Sequence, residues 1–218
     1  MTHPLTFAGQ GFEARPAGTL WWPARRTLIV ADLHLGKSAT MAARGGALLP
    51  PHEDEDTLSR LEAELAALPV ARVLSLGDAF EDDAAPEALS PANRARLGAM
   101  ARGRTWVWIT GNHDGGALPG LGDTLSEIHE EGIAFRHIAG EGPDISGHYH
   151  PKAQLAGQRR PAFLWGQSHL ILPAFGTYTG GLDCEAPPLA DLVGPGLALL
   201  TGTRIMARPL SPGTRRRA

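Results

Sequence analysis

The chain has 218 residues, with 20 Lys and Arg against 23 Asp and Glu and a formal net charge of -3. That length suits one domain able to bury most of its foldable surface, and the charge excludes a strongly basic nucleic-acid coat, though not an enzyme with a local basic patch. The single cysteine, Cys184, excludes an intrachain disulfide framework and leaves any metal site to His, Asp, Asn or Glu. Short strands are expected over 5–8, 12–15 and 19–22, and a buried one over the apolar, β-branched run 27–31. Leu58, Leu61, Leu65 and Leu68 recur at spacings of three and four and predict an amphipathic helix over 54–68, stopped by Pro69. A strand over 72–76 follows. Ser90 is a good N-cap and Pro91 a good first residue for a helix to about 101. Trp106 and Trp108 fall on one face of a strand over 105–109, an arrangement suited to core packing. Beyond it, 133–137, 144–146, 162–165, 169–172 and 197–206 are strand-like. Strand and helix alternate in the first half and strands dominate the second, so the expected fold is a layered α/β sandwich whose sheets meet in the middle.

We read one domain over 1–210 and a flexible basic tail over 211–218. No apolar run nears the roughly 18 residues of a membrane span, and the Met1-Thr2-His3-Pro4 start lacks a leader pattern. The expectation is a cytoplasmic protein without a membrane partner. Gly36-Lys37-Ser38 imitates the end of a phosphate-binding loop, but that motif needs Gly at position 31, which is Ala31.

Four polar clusters each follow a strand-like run: Asp32-Leu33-His34, Gly77-Asp78, Gly111-Asn112-His113-Asp114 and Gly147-His148-Tyr149-His150. Loops at strand ends are held by a rigid scaffold. Glycines 77, 111 and 147 are expected to let the backbone turn so that the next side chain points inward. In an extended segment, Asp-X-His and His-X-His put both side chains on one side. Carboxylate, imidazole and amide oxygen without thiolate suit Mn²⁺, Fe²⁺ or Zn²⁺. Two ions need roughly six to eight protein ligands. Asp32, His34, Asp78, Asn112, His148 and His150 supply six. His137 is the best seventh, ahead of His129, which lies in the polar run 126–131 and reads as solvated.

Together these motifs resemble the calcineurin-like metallophosphoesterase superfamily, over about residues 27 to 151. Asp32-Leu-His-Leu-Gly-Lys37, Gly147-His-Tyr-His-Pro151 and Leu172-Pro-Ala-Phe-Gly-Thr-Tyr-Thr-Gly-Gly181 resemble, more narrowly, its ligase-associated DNA damage response endonuclease branch. The resemblance implies a four-layer α/β/β/α sandwich and a dinuclear site. Asp32, His34 and His150 would hold one ion, Asn112, His137 and His148 the other, and Asp78 would bridge them. His113 would stand by the phosphate and donate to the leaving oxygen, with Asp114 orienting it. Where that branch has a His after the Phe of its second motif, this chain has Glu81.

Two divalent ions, most suitably Mn²⁺, lower the pKa of a water between them towards about 7, giving a hydroxide that can attack phosphorus. Lys37 and Arg44 are candidates for binding the substrate's phosphate, and solvated loop cations are the plainer reading. On the narrower resemblance, the leading function is a metal-dependent phosphodiesterase acting on DNA in repair. The resemblance also implies functional association with a DNA ligase, a helicase and a second nuclease. A small nucleotide or cyclic nucleotide is the alternative substrate, and a scaffold of the same fold is the alternative class. Retention of the ligands and of His113 argues against the scaffold.

Overall fold

The computed structural model describes residues 1–46, 49–50, 52–113 and 120–210; the tail over 211–218 and Asp114 lie outside them. The chain begins with the hairpin β1 (His3–Phe7) and β2 (Gln10–Ala14). Leu5, Phe7, Phe12 and Ala14 alternate with more exposed neighbours, which lays one face of the hairpin on the core. β3 (Leu20–Trp22), β4 (Thr27–Val30), β5 (Arg72–Leu76), β6 (Thr105–Ile109) and β7 (Asp123–Leu125) complete a sheet in the order β1-β2-β3-β4-β5-β6-β7. Its pairings are antiparallel up to β4 and parallel from β4 to β7. Parallel neighbours need crossovers. The connections contain α1 (Lys37–Ala43) and α2 (Glu53–Ala67) after β4, and α3 (Ala85–Ala88) and α4 (Pro91–Ala101) after β5.

The second sheet contains β8 (Glu127–Glu130), β9 (Ile133–Arg136), β10 (Asp144–Ser146), β11 (Lys152–Leu155), β12 (Gln158–Trp165), β13 (His169–Ile171), β14 (Gly196–Leu200) and β15 (Met206–Leu210). Its order is β15-β14-β12-β13-β10-β9-β8, with β11 paired to β12, and α5 (Leu189–Val193) precedes β14.

Three apolar clusters bind these elements. Leu58, Leu61 and Leu65 of α2 and Leu97 and Met100 of α4 pack on Leu28, Val73, Trp106 and Trp108 of the first sheet. The two tryptophans stack with ring centroids 5.2 Å apart, in core rather than at a surface. The other face of that sheet meets the second sheet through Phe12, Trp22, Ile29, Leu74, Phe135, Ile145 and Phe163. Leu189 and Val193 of α5 cover Leu164, Ile171 and Leu200 on the far face. Each such buried Leu contributes about 1.5–3 kcal/mol of hydrophobic stabilisation.

Three differences from the sequence reading have physical causes. α2 ends at Ala67 because Leu68, preceding Pro69, is extended at φ -133° and ψ 151°. The run 197–206 is not one strand: it breaks at Gly202, φ 142°, into the β14–β15 hairpin. The polar run 126–131 holds an edge strand, β8, whose backbone pairs with β9 while the His129 side chain stays in water, 63% exposed. Among the described residues, no helix is long and apolar enough to cross a membrane.

Candidate metal centre

The polar clusters gather at the ends where parallel strands finish, the usual place for a site in open α/β sheets. Asp32 follows β4, Asp78 follows β5, Asn112 follows β6, His137 follows β9 and His148 follows β10. The segments are not extended. Asp32, His34, Asp78, His148 and His150 all stand in left-handed backbone, at φ 54°, 46°, 45°, 69° and 47°. Such conformations cost about 1–3 kcal/mol each and persist where surroundings over-determine them. Here Asp32, His34 and Leu35 donate from their amides to the carbonyls of Gly77, Asp78 and Ala79, and Phe175 and Gly176 donate to Ala31 and Asp32. The turning role expected of the glycines fits Gly77, at φ 77°. Gly111 and Gly147 are required for space: a Cβ at 111 would overlap the Asp78 carboxylate, and one at 147 would lie 2.6 Å from Asp32 Oδ2.

Two donor groups result. Asp32, His34 and His150 form one, and Asp78, His137 and His148 the other. In the first, His34 Nε2 is 3.2 Å from His150 Nε2, which is 3.4 Å from Asp32 Oδ1. In the second, His137 Nε2 is 3.1 Å from His148 Nδ1, 3.4 Å from Asp78 Oδ2 and 2.8 Å from Asn112 Oδ1. A cation with bonds near 2.0–2.1 Å sets neighbouring donors about 3.0–3.4 Å apart. The spacing and the nitrogen-and-oxygen donor set therefore fit divalent cations.

The electrostatics agree. Burial pushes the Asp78 carboxyl up, but the hydrogen bond and charge of His137, the His113 amide and the charge of His34 outweigh it and hold it well below the usual carboxylate range. Burial disfavours the charged form of His137, yet Asp78 and Asp32 together raise its pKa. His148 is lowered by burial and by the neighbouring His137. The carboxylates of the site thus favour positive charge in the second group.

The structure also places the remaining candidates. The His113 amide donates to Asp78 Oδ1 at 3.0 Å, and its ring lies edge-on to His34 with centroids 5.4 Å apart. Asn112 and His113 are exposed, so the site opens to solvent on their side. Lys37 Nζ is 2.8 Å from Glu81 Oε2, and the exposed Arg44 is 2.8 Å from Asp82 Oδ2. Both cations are matched by carboxylates of the loop after β5. His129 lies against Glu127 on β8, and His169 against the buried Asp144 at 2.9 Å; neither is in a donor group. Sequence reasoning missed a role for Glu81, which is buried and 2.8 Å from His34 Nδ1. Burial raises its carboxyl, but hydrogen bonds from His34 and Lys37 bring it down to about 2. The available signal was an acidic residue three places after Asp78, following a Phe that the core would claim.

Paired sheets that converge on two abutting Asp-and-His groups define a metal-dependent phosphoesterase of the metallophosphoesterase type. No protein-family model and no curated protein matches the sequence. Among solved structures, the chain is similar to the nuclease MPE of Pseudomonas putida, with 30% identity and a TM-score of 0.74, over 96% of this chain and 100% of that one. The chain belongs to the same family as that enzyme.

Proposed function

We propose that the protein hydrolyses phosphodiester bonds in DNA with two divalent cations. The observation that carries this is the pair of donor groups side by side, with His113 at the open edge. The similarity to a nuclease supports a nucleic-acid substrate. Asp32, His34 and His150 would hold one cation, Asn112, His137 and His148 the other, and Asp78 would be shared by both. Bound there, the ions supply Lewis acidity and a nucleophile at neutral pH. His113 donates a proton to the departing oxygen, a step typically worth about 10²–10⁴-fold. A site open on the Asn112 and His113 side admits a polymer more readily than an enclosed pocket would. The same reading takes the fold as a four-layer α/β/β/α sandwich, with α2 and α4 outside one sheet and α5 outside the other. It takes Mn²⁺ as the metal, and a role in DNA repair alongside a ligase, a helicase and a second nuclease.

The test is hydrolysis of bis-p-nitrophenyl phosphate and of nicked, gapped and single-stranded DNA, with Mn²⁺ and with chelator, by wild type and His113→Ala. We expect metal-dependent DNA cleavage that falls at least 100-fold in the variant (on the order of the proton-donor contribution). Cleavage of the small ester with every DNA intact would replace DNA by a small nucleotide.

A further inference from the structure

Glu81 touches three parts of the site at once. Its Oε2 is 2.8 Å from His34 Nδ1 and 2.8 Å from Lys37 Nζ. Its main-chain carbonyl is 3.2 Å from His113 Nδ1. Its amide donates to the Leu35 carbonyl at 3.0 Å, and Leu35 also bridges Phe80, so the residue is fixed against the segment that carries His34.

A carboxylate and a carbonyl are acceptors only. A ring nitrogen that hydrogen-bonds to either must carry the proton. His34 then has Nδ1–H facing Glu81, which leaves Nε2, facing His150, as the nitrogen available to a cation. His113 likewise has Nδ1–H facing inward and Nε2 turned away from that carbonyl. Lys37, a donor only, completes the arrangement by matching the carboxylate's charge.

We propose that Glu81 is a positioning residue that sets the tautomer of His34 through its side chain and orients the ring of His113 through its carbonyl, which holds Nδ1–H and leaves Nε2 as the nitrogen that passes a proton on. One residue thereby prepares a metal ligand and a proton donor together, and Lys37 serves Glu81 rather than the substrate. The second donor group is built differently: His137 Nδ1 lies 3.0 Å from the Leu76 carbonyl, and the carboxylate nearest that nitrogen, 3.8 Å away, is Asp32 of the first group rather than Glu81. An outer carboxylate orients a ligating imidazole and raises its basicity, and losing such a partner typically weakens metal binding about 10–100-fold. The effect of Glu81 should therefore fall on the Asp32, His34 and His150 group alone.

This inference rests on the metal reading above, and the experiment separates the two. Calorimetric titration of chelator-stripped protein with Mn²⁺ should show two sites in wild type. In Glu81→Gln, which preserves side-chain shape, one site should weaken by about 10–100-fold and the other hold. Long-range ¹H–¹⁵N NMR of metal-free wild type, which needs no variant to fold, should show His34 and His113 with the proton on Nδ1. Equal Mn²⁺ binding by Glu81→Gln and wild type, or either ring with Nδ1 unprotonated, would overturn the role of Glu81 and leave the metal reading intact. Failure of wild type to bind Mn²⁺ at all would sink the metal reading, and the role of Glu81 with it.

Discussion

At the ends where β4, β5 and β6 begin, charge is met by opposite charge. Arg72 at the head of β5 makes paired hydrogen bonds of 2.6 and 2.7 Å to Glu130 on β8, and Arg25 pairs with Glu131 beside it. Each charge has its partner within the protein. At the ends where the same strands finish, imidazoles and carboxylates are crowded together, and five of those residues sit in left-handed conformations. The first arrangement is complete as it stands. The second sets imidazole nitrogens 3.1 and 3.2 Å apart beside carboxylates, a donor set that suits cations. A dense set of nitrogen and oxygen donors at one end, beside plain ion pairs at the other, distinguishes a candidate metal centre from structural pairing.

Adding and removing the ions should break the contrast most strongly. At about a hundred times the dissociation constant, each bound ion stabilises the native state by about 2.7 kcal/mol. Thermal melts should therefore shift upward with Mn²⁺ and return with chelator; a midpoint indifferent to both would place the two ends on the same footing. Gly147→Ala, which thrusts a Cβ towards Asp32, should abolish Mn²⁺ uptake and destabilise by about 1–3 kcal/mol. Calorimetry and urea melts check both. Arg72→Ala should cost about 1.5 kcal/mol and leave Mn²⁺ affinity and hydrolysis unchanged. A change in either would show that the two ends are coupled.

The smallest expected effect is pH-dependent. Asp54 accepts from the Gly36 amide at 2.7 Å, and burial raises its pKa from 3.8 to about 6. A carboxyl that holds its proton more tightly in the native state destabilises when ionised, so the penalty is full above about pH 6 and fades towards pH 4. Asp54→Asn should stabilise by about 1 kcal/mol or less at pH 8, after allowance for solvent screening, and by nothing near pH 4. Urea melts at the two pH values measure it, and equal gains would assign the effect to packing.

Much of the contrast was legible in the residues. Strands with dense Val, Ile and Leu, the leucine spacing of α2 and the Ser90-Pro91 start of α4 carry their own structure. The donor residues were legible because imidazoles and carboxylates recur after strands. What did not show was whatever depends on partners distant in sequence. α1 has no apolar stripe; its first amides are met by Glu53 and Asp54 from the start of α2. β8 offers one apolar side chain, Ile128, among polar ones and owes its form to backbone pairing with β9. Left-handed backbone at Asp32 and His34 follows from the ladder with residues 77–79, which no local pattern announces. Lys37 and Arg44 look free in sequence because Glu81 and Asp82 arrive about forty residues later.

Each donor group draws on both sheets. Asp32 and His34 come from the first and His150 from the second; Asp78 comes from the first, His137 and His148 from the second. His34 and His150 are 116 positions apart along the chain. Neither half of the polypeptide can present a full set of donors alone. A complete donor group exists only where the halves are docked, and a cation held there would act as a rivet across their seam. By the same token, exchange of one half for that of a distant relative would have to preserve the seam to within a bond length before any chemistry returned.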